Sequence, residues 1–161
     1  MRLQLAGLFF LILLVSSCSA IRRRAPQPVK VQGIAMEPAL KDGDRILVDK
    51  NTDKLKRGDI VVFYFPLDRS KSYIKRVVAL PGETVEIRDG KVLINGTNLD
   101  EPYVAPENNR VMSNREVIKV PENSFYVLGD NRDNSSDSRT WGMLQRRFIY
   151  GRFVSKYYSA S

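Results

Sequence analysis

The sequence contains no histidine and only one cysteine, Cys18, in 161 residues. Without histidine the chain cannot form a Ser-His-Asp triad, a Cys-His pair or a histidine-bearing metal site. A single cysteine cannot form an intrachain disulfide or a thiolate zinc cluster. We expect no metal and no cofactor. Any acid–base chemistry must therefore use carboxylates, tyrosine or lysine.

The composition lacks any bias that would argue against a folded domain. Hydrophobic residues make up 43% of the chain and charged residues 27%, which is ordinary for a globular protein. The length is sufficient for one domain with its own core. The formal net charge of +8 is compatible with binding to nucleic acid, with binding to an anionic membrane surface, or simply with a soluble basic surface. Composition does not choose among these.

Long amphipathic helices are also missing, because no segment after the N-terminus shows a sustained apolar stripe with a 3.6-residue period. Short β-branched and aromatic runs between turn residues instead predict strands. These runs lie at residues 30–32, 44–50, 59–65, 72–80, 84–94 (a hairpin around Asp89-Gly90), 116–120, 125–128 and 148–157. Residues 97–114 are polar and irregular. The pattern predicts a mainly all-β, twisted, barrel-like or sandwich domain.

The N-terminus is typical of an export or anchoring segment. An apolar run from about Leu3 to Val15 follows Arg2 and is short for a membrane-spanning helix, which needs about 20 residues. It ends at Cys18 in a small-residue stretch that resembles the lipobox of bacterial lipoproteins, in which the cysteine becomes the first residue and carries a lipid. We therefore expect residues 1–17 to be a lipoprotein-type signal peptide. An uncleaved membrane anchor, or a chance cysteine in an ordinary signal, remains the alternative.

Residues 18–28 are polar, basic and proline-bearing, and we interpret them as a basic linker ahead of a domain at 29–161. The linker contains three consecutive arginines at 22–24. Such a cluster beside a membrane segment tends to stay cytoplasmic, or it could contact anionic head groups after export.

A first candidate for chemistry is the stretch GIAMEPAL at 33–40, followed by KDGDR. A strand ends here, a proline forces a turn and a second strand begins. A strand end of this kind can expose one side chain together with a backbone N–H. That combination suits a nucleophile beside an oxyanion hole.

Lys75 is a second candidate, because strand alternation places it on one face with Tyr73, Val77 and Ala79. Desolvation on an apolar face would lower its pKa and make a neutral amine available as a base. Spacing alone instead favours a lysine at a strand edge or one whose amine reaches water.

The third candidate is the run from Gly129 to Arg139, which has almost no apolar content and precedes Trp141-Gly142. A solvated loop or an acidic cation site is possible, although the spacing fits a calcium loop poorly. Alternating Asp and Arg residues favour a hydrogen-bonded network that braces a site.

These stretches, in this order, resemble the conserved boxes of bacterial signal peptidase I. The matching segments are GIAMEPAL-KDGDRILV (33–48), RGDIVVFYFP (57–66), YIKRVVALPGE (73–83) and GDNRDNSSDSRTWG (129–142). The resemblance covers about residues 29–157; its first box is weakly specific and its last strongly so. It implies a coiled, mostly antiparallel β fold with a Ser/Lys dyad. It also implies an endopeptidase at the extracytoplasmic (periplasmic) face of the cell membrane that cuts exported preproteins after a small-x-small site such as Ala-x-Ala.

The resemblance also implies roles for individual residues. Lys75 matches the general base, and Ser135 matches the serine that hydrogen-bonds and orients it. The remaining matches are Asp137 and Arg139 (charges that stiffen the site), Gly129 (close backbone approach), Gly33 (oxyanion-hole position), and Met36 and Pro38 (the turn after the nucleophile).

The departure from this pattern is at the nucleophile position, which holds Ala35. A methyl group cannot attack a carbonyl, and no hydroxyl or thiol lies between Gly33 and Leu40. A natural inactive homologue, a deliberate Ser-to-Ala form and a subgroup using lysine-activated water are all open. The alternative function is a non-catalytic module that holds signal-peptide segments as extended strands.

The expected partners are exported preproteins and membrane lipid, and the expected state is a monomer. The Ser/Lys fold is shared with SOS-repressor autoproteases, which carry a helical DNA-binding domain. This chain has no pattern for such a domain, so we expect no nucleic-acid partner.

Overall fold

The computed structural model describes residues 25–111 and 113–160. The predicted signal peptide or anchor, with Cys18, lies outside the described residues. Among the residues described, no helix is long and apolar enough to cross a membrane.

The described chain folds into two antiparallel sheets, which confirms the expected mainly-β class. Its strands in chain order are β1 (Gln27–Lys30), β2 (Arg45–Asp49), β3 (Ile60–Phe65), β4 (Asp68–Ala79), β5 (Thr84–Arg88), β6 (Lys91–Ile94), β7 (Thr97–Asn98), β8 (Arg115–Lys119), β9 (Ser124–Leu128), β10 (Leu144–Gln145) and β11 (Ile149–Tyr158). The larger sheet has the order β1-β2-β11-β3-β4-β9-β10, and the smaller has the order β7-β6-β5-β8.

Helical structure in the described chain is confined to short pieces. One α-helical turn, α1, covers Ser138–Trp141. Three 3₁₀ turns cover Pro106–Asn108, Arg132–Asn134 and Arg146–Phe148. Asp137 caps α1, because its carboxylate accepts the N–H of Arg139.

The larger sheet is covered on both faces, which explains the continuous apolar run of β3. Val61 and Phe63 point into one core cluster with Val77, Phe125 and Leu144. Ile60 and Val62 point into a second cluster on the other face, together with Val31, Met36, Leu40, Ile46 and Val48. Each fully buried side chain of this kind contributes about 1.5–3 kcal/mol of transfer free energy.

The smaller sheet packs on the larger one through a third cluster. It joins Val78, Ala79, Tyr126 and Leu128 of β4 and β9 to Val85, Ile87, Val92 and Ile94 of β5 and β6. The strand pair β4–β9 therefore contributes side chains both to the first cluster, within the larger sheet, and to the third cluster, between the two sheets.

Strand boundaries differ from the sequence prediction where pairing decides them. β1 begins at Gln27, within the stretch interpreted as linker, because residues 27–30 pair with β2. β4 begins at Asp68, which pairs with Phe65 to close a tight hairpin. A register shift between Val77 and Ala79 interrupts the alternation, so Val77 lies in the first cluster and Ala79 in the third.

Candidate active site

The candidate site lines a groove of about 620 Å³ that lies between two open strand edges. One wall is formed by residues 29–33, and β1 pairs only with β2. The other wall is formed by residues 70–75 of β4, since β9 pairs with β4 only from Arg76 to Ala79. Ala35 and Lys75 both line this groove.

The structure separates the sequence-predicted site residues into two neighbouring groups. Those that line the groove are Gly33, Ala35, Met36 and Lys75. Those that lie beside it, in the loop of residues 129–139 (the bracing loop), are Gly129, Ser135, Asp137 and Arg139. Of the remaining candidates, Pro38 lies in the turn that follows Ala35, and Cys18 lies outside the described residues.

The Ala35 turn, residues 33–38, is fastened through its backbone. The N–H of Glu37 donates to the carbonyl of Ile34 at 3.1 Å, which closes the turn, and the N–H of Asn131 donates to the carbonyl of Ala35 at 3.1 Å. Gly33 adopts φ +81°, a left-handed conformation that favours glycine. Its N–H donates to Asp42 Oδ1 at 2.6 Å.

Met36 holds the turn to the core, because its side chain is buried in the cluster under the turn. Ala35 is only half-buried, and its N–H meets no hydrogen-bond acceptor among the described residues. Because Ala35 lines the groove, the turn brings a methyl-bearing residue and an N–H without a described acceptor to the same place. A carbonyl oxygen bound there would find one oxyanion donor already in place.

Lys75 is buried, with 4% of its surface exposed. Its Nζ donates to the carbonyl of Ile74 at 3.1 Å and lies 5.4 Å from the centre of the Tyr73 ring. Burial lowers the pKa of Lys75 to about 8; the nearby carboxylate of Asp137 opposes this shift and the Arg139 guanidinium adds to it. A substantial neutral fraction near physiological pH suits a general base.

Ser135 sits beside these groups, but the hydrogen bond to Lys75 that the family resemblance implies is not formed in this structure. Its Oγ is buried and has no hydrogen-bond partner among the described residues. The hydroxyl is near enough to Asp137 to help lower the pKa of that carboxyl, although the two groups do not form a hydrogen bond. A buried hydroxyl without a partner is free to turn toward a new one.

Asp137 and Arg139 form the ion pair expected from the sequence. Arg139 donates from Nε and Nη2 to the two carboxylate oxygens, each at 2.8 Å. Asp137 also accepts the N–H of Gly129 at 3.1 Å. Burial alone would raise the pKa of Asp137, but the hydrogen bonds and charge of Arg139 outweigh it and the pKa is lowered. The carboxylate is therefore ionised and can hold the loop backbone in place.

Gly129 is where the two groups meet most closely. A Cβ at this position would lie 2.5 Å from the carbonyl oxygen of Ala35, and closer still to Ser135 Oγ. No side chain fits there without displacing one of these groups. The structure thus supplies a geometric reason for glycine at this position.

Sequence reasoning missed several residues that hold the bracing loop. Asp130 accepts Nε and Nη2 of Arg76 at 2.8 and 2.5 Å. Arg132 donates to both carboxylate oxygens of Glu101, at 3.2 and 2.5 Å. Arg76 and Asp130 lie within the segments 73–83 and 129–142 that resemble the family's boxes, and their opposite charges could have suggested an ion pair. Nothing in the polar stretch 97–114 distinguished Glu101.

Comparisons with known proteins find similarity to signal peptidases. The model of the "Signal peptidase, peptidase S26" family matches residues 2–158. The probable signal peptidase I-1 of Synechocystis sp. is 36% identical over 145 residues, covering 84% of this chain and 72% of that protein. Signal peptidase I of Leptolyngbya laminosa is 42% identical over 135 residues, covering 77% of this chain and 64% of that protein. A crystal structure of a signal peptidase I from Enterococcus faecalis V583 has 35% sequence identity and a TM-score of 0.54, covering 64% of this chain and 98% of that one.

Proposed function

The chain belongs to the signal peptidase I, peptidase S26 family, and on this premise we propose that its groove binds the signal-peptide segment of exported preproteins. In this proposal the segment lies as an extended strand with its small-x-small site beside Ala35 and Lys75. The single observation that supports it most is that Ala35 and Lys75 line one groove between two open strand edges.

Strand addition explains why such a groove would accept many different preproteins. The open edges of β1 and β4 carry unpaired backbone groups to which an extended peptide can hydrogen-bond. Main-chain hydrogen bonds do not read side chains. Selectivity would then come from the few side chains that point into the groove.

The groove also has the parts of a Ser/Lys site, apart from the nucleophile. With serine at position 35, the hydroxyl would attack the scissile carbonyl while the neutral amine of Lys75 takes its proton. The free N–H of residue 35 would stabilise the oxyanion. With Ala35 the covalent step is absent, and we propose that the chain as it stands holds the peptide without this step.

Turnover through water activated by Lys75 is a second candidate function. It is favoured by the lowered pKa of Lys75 and by the absence of any salt bridge from its Nζ within the described part of the chain. Water would lack the positional advantage of an intramolecular nucleophile, so this turnover would be slow.

Signal peptidases I are membrane-associated proteins with an extracytoplasmic catalytic domain. We propose that Cys18 carries the lipid that attaches this chain to the membrane. Labelling cells with a radioactive fatty acid tests this attachment. Label should appear on the chain and be lost in the Cys18→Ala variant, whereas label retained by that variant would contradict it.

The groove assignment is tested by comparing the chain, its Ala35→Ser variant and the double variant Ala35→Ser/Lys75→Met on one preprotein with an Ala-x-Ala site. The unaltered chain should bind a peptide from this site without cleavage beyond that of a Lys75→Ala control. Ala35→Ser should cleave faster by about a thousandfold or more, and Lys75→Met should abolish that gain. Cleavage by the unaltered chain that is lost in Lys75→Ala would favour the water mechanism.

Two results would overturn the proposal. An Ala35→Ser variant that binds the peptide but never cleaves it would contradict the pairing of Lys75 with position 35. A failure of every variant to bind the peptide, with or without membrane vesicles, would contradict the groove as a peptide site.

A further inference from the structure

We propose that Asn108 is a positioning residue that holds the Ala35 turn against the bracing loop. Asn108 lies in the 3₁₀ turn Pro106–Asn108, in a stretch of the sequence with no recognisable motif. Its Nδ2 donates to the carbonyl of Glu37 at 3.2 Å, across 71 positions of the chain. The inference deepens the proposed function, since the turn it holds carries the nucleophile position.

The Ala35 turn has few other tethers to distant parts of the chain. Its internal hydrogen bond runs from the N–H of Glu37 to Ile34, and the N–H of Asn131 binds the carbonyl of Ala35 from the bracing loop. Within residues 25–111 and 113–160, the contact from Asn108 is therefore the second polar tether to a distant loop, and it acts on the other end of the turn. Two tethers at different peptide units restrict rotation of the turn, which one tether would allow.

Asn108 can act as a tether because its own segment is tied to the bracing loop. The backbone N–H groups of Arg110 and Val111 donate to the two carboxylate oxygens of Asp133, at 2.9 and 3.0 Å. At the other end of the segment, Glu101 pairs with Arg132. Residues 101–111 are thus fastened to the bracing loop on both sides of Asn108.

The Glu101 end of this segment is stiff because its groups are buried. The side chains of Arg132 and Glu101 are 3% and 10% exposed, and Tyr103 donates its hydroxyl proton to Glu101 at 2.9 Å. The guanidinium of Arg76 stacks on the Tyr103 ring at 4.0 Å, and Arg76 itself pairs with Asp130. A tether from such a segment transmits the position of the bracing loop to the turn.

The chain offers a matched control in the next residue. Asn109 is also half-buried, but its Nδ2 donates to the carbonyl of Gly90, in the β5–β6 hairpin, at 3.0 Å. Replacing either asparagine removes the same kind of hydrogen bond from the same segment. Only Asn108 reaches the site.

The primary test is amide hydrogen exchange in Asn108→Ala and Asn109→Ala, measured by NMR on the otherwise unaltered chain. Asn108→Ala should speed exchange of the Glu37 and Asn131 amides about five- to tenfold, since it loosens the turn that both hydrogen bonds hold. Asn109→Ala should leave these amides unchanged and instead speed exchange of the Gly90 amide. Asn108→Asp, which places a carboxylate against the carbonyl of Glu37 at constant shape, should affect the turn at least as strongly as alanine does.

A second test uses the Ala35→Ser variant and depends on the proposed function. There Asn108→Ala should lower kcat about tenfold with KM within twofold, because misplacing a reacting group affects the reaction more than peptide binding. Asn109→Ala should leave both constants within twofold. Melting temperatures of the two variants separate this effect from general loss of stability.

The two tests fail independently. If Ala35→Ser binds the peptide but does not cleave it, the pairing of Lys75 with position 35 fails, and if no variant binds the peptide, the proposed function fails; in both cases the exchange data still decide the role of Asn108. Unchanged exchange at Glu37 and Asn131 in Asn108→Ala would overturn the positioning role. Equal acceleration by Asn109→Ala would also overturn it, because the effect would then be a general loosening of the segment.

Discussion

The bracing loop and the groove beside it are built in opposite ways. In the bracing loop, buried charges meet opposite charges in two-pronged pairs, as in Arg139–Asp137 and Arg132–Glu101. In the groove, the described residues give Lys75 only a neighbouring carbonyl as hydrogen-bond partner, and they give the N–H of Ala35 no acceptor. The groove thus leaves polar groups open to a peptide, whereas the buried charges of the bracing loop and their partners, which we call the frame, are paired.

This difference has a physical reason. A buried charge without a partner carries a large desolvation penalty, so a frame made of charges is stable only when each one is paired. A general base needs the opposite condition, since an ion pair with a carboxylate would raise the pKa of the amine and keep it protonated. The contrast predicts that removing a charge from the frame lowers stability, whereas removing the charge from the groove raises it.

The largest expected effect comes from breaking the frame with Asp137→Asn. This change leaves Arg139 buried without its counter-charge, so we expect the free energy of unfolding to fall by about 3–5 kcal/mol. Urea unfolding followed by circular dichroism measures it. The matched control is Glu86→Gln, whose partner Arg88 is 64% exposed, and it should cost no more than about 1 kcal/mol. Similar losses in the two variants would remove the distinction between frame and surface pairs.

The next effect has the opposite sign and tests the groove. The pKa of Lys75 falls from 10.5 to about 8 on folding, so below pH 8 the folded chain holds a charge that burial disfavours. Lys75→Met should therefore raise the free energy of unfolding by about 3 kcal/mol at pH 7, at 1.36 kcal/mol for each pKa unit.

The pH dependence checks the sign of this prediction. Between pH 8 and 10.5 the unfolded chain binds a proton at Lys75 that the folded chain does not, so the stability of the unaltered chain rises with pH over this range. The advantage of Lys75→Met should shrink accordingly when unfolding is repeated across that range. Lys91→Met, at an exposed position of β6, should change stability by less than about 0.5 kcal/mol. An advantage of Lys75→Met that does not depend on pH would show that charge burial is not its cause.

A smaller effect is expected where the two regions touch. In Gly129→Ala the added Cβ would overlap the Ala35 carbonyl and Ser135, so we expect a loss of about 1–3 kcal/mol together with loss of peptide binding. Gly96→Ala is the comparison, since Gly96 has φ +79° but no atom within 4 Å of the added Cβ. It should cost about 1 kcal/mol from backbone strain and leave peptide binding intact. Thermal unfolding and fluorescence titration with a labelled peptide measure the two quantities. Full peptide binding by Gly129→Ala would mean that the close approach is not needed.

The smallest effect is expected at the groove surface. Gly33→Ser places a side chain in open space at φ +81°, so the cost should be backbone strain of about 1 kcal/mol. Peptide affinity should stay within a few-fold in the same titration. A much larger loss of stability would show that the turn cannot adapt to a side chain at this position.

Several features of the fold were predictable because their causes are local. Alternating and β-branched residues placed β2, β3, β5 and β6 close to their observed bounds. Asp89-Gly90 marked the hairpin between β5 and β6, and both residues have positive φ. The pair Asp137–Arg139 was also predictable, since the two residues lie only two positions apart. The two-residue strand β10 was missed because it exists only through its pairing with β9.

The family membership, the mainly-β class and the alanine at position 35 could all be determined from the sequence alone, because motif order, alternation and the identity of residue 35 are properties of the chain itself. The tertiary structure alone decided that Ala35 and Lys75 share one groove, that the buried hydroxyl of Ser135 forms no hydrogen bond with a described residue, and that Asn108 reaches Glu37. These contacts join residues far apart in the chain, and their geometry depends on how two sheets and three loops pack together. The residues of one segment do not specify which distant segment it will contact. A local sequence pattern therefore cannot predict such packing.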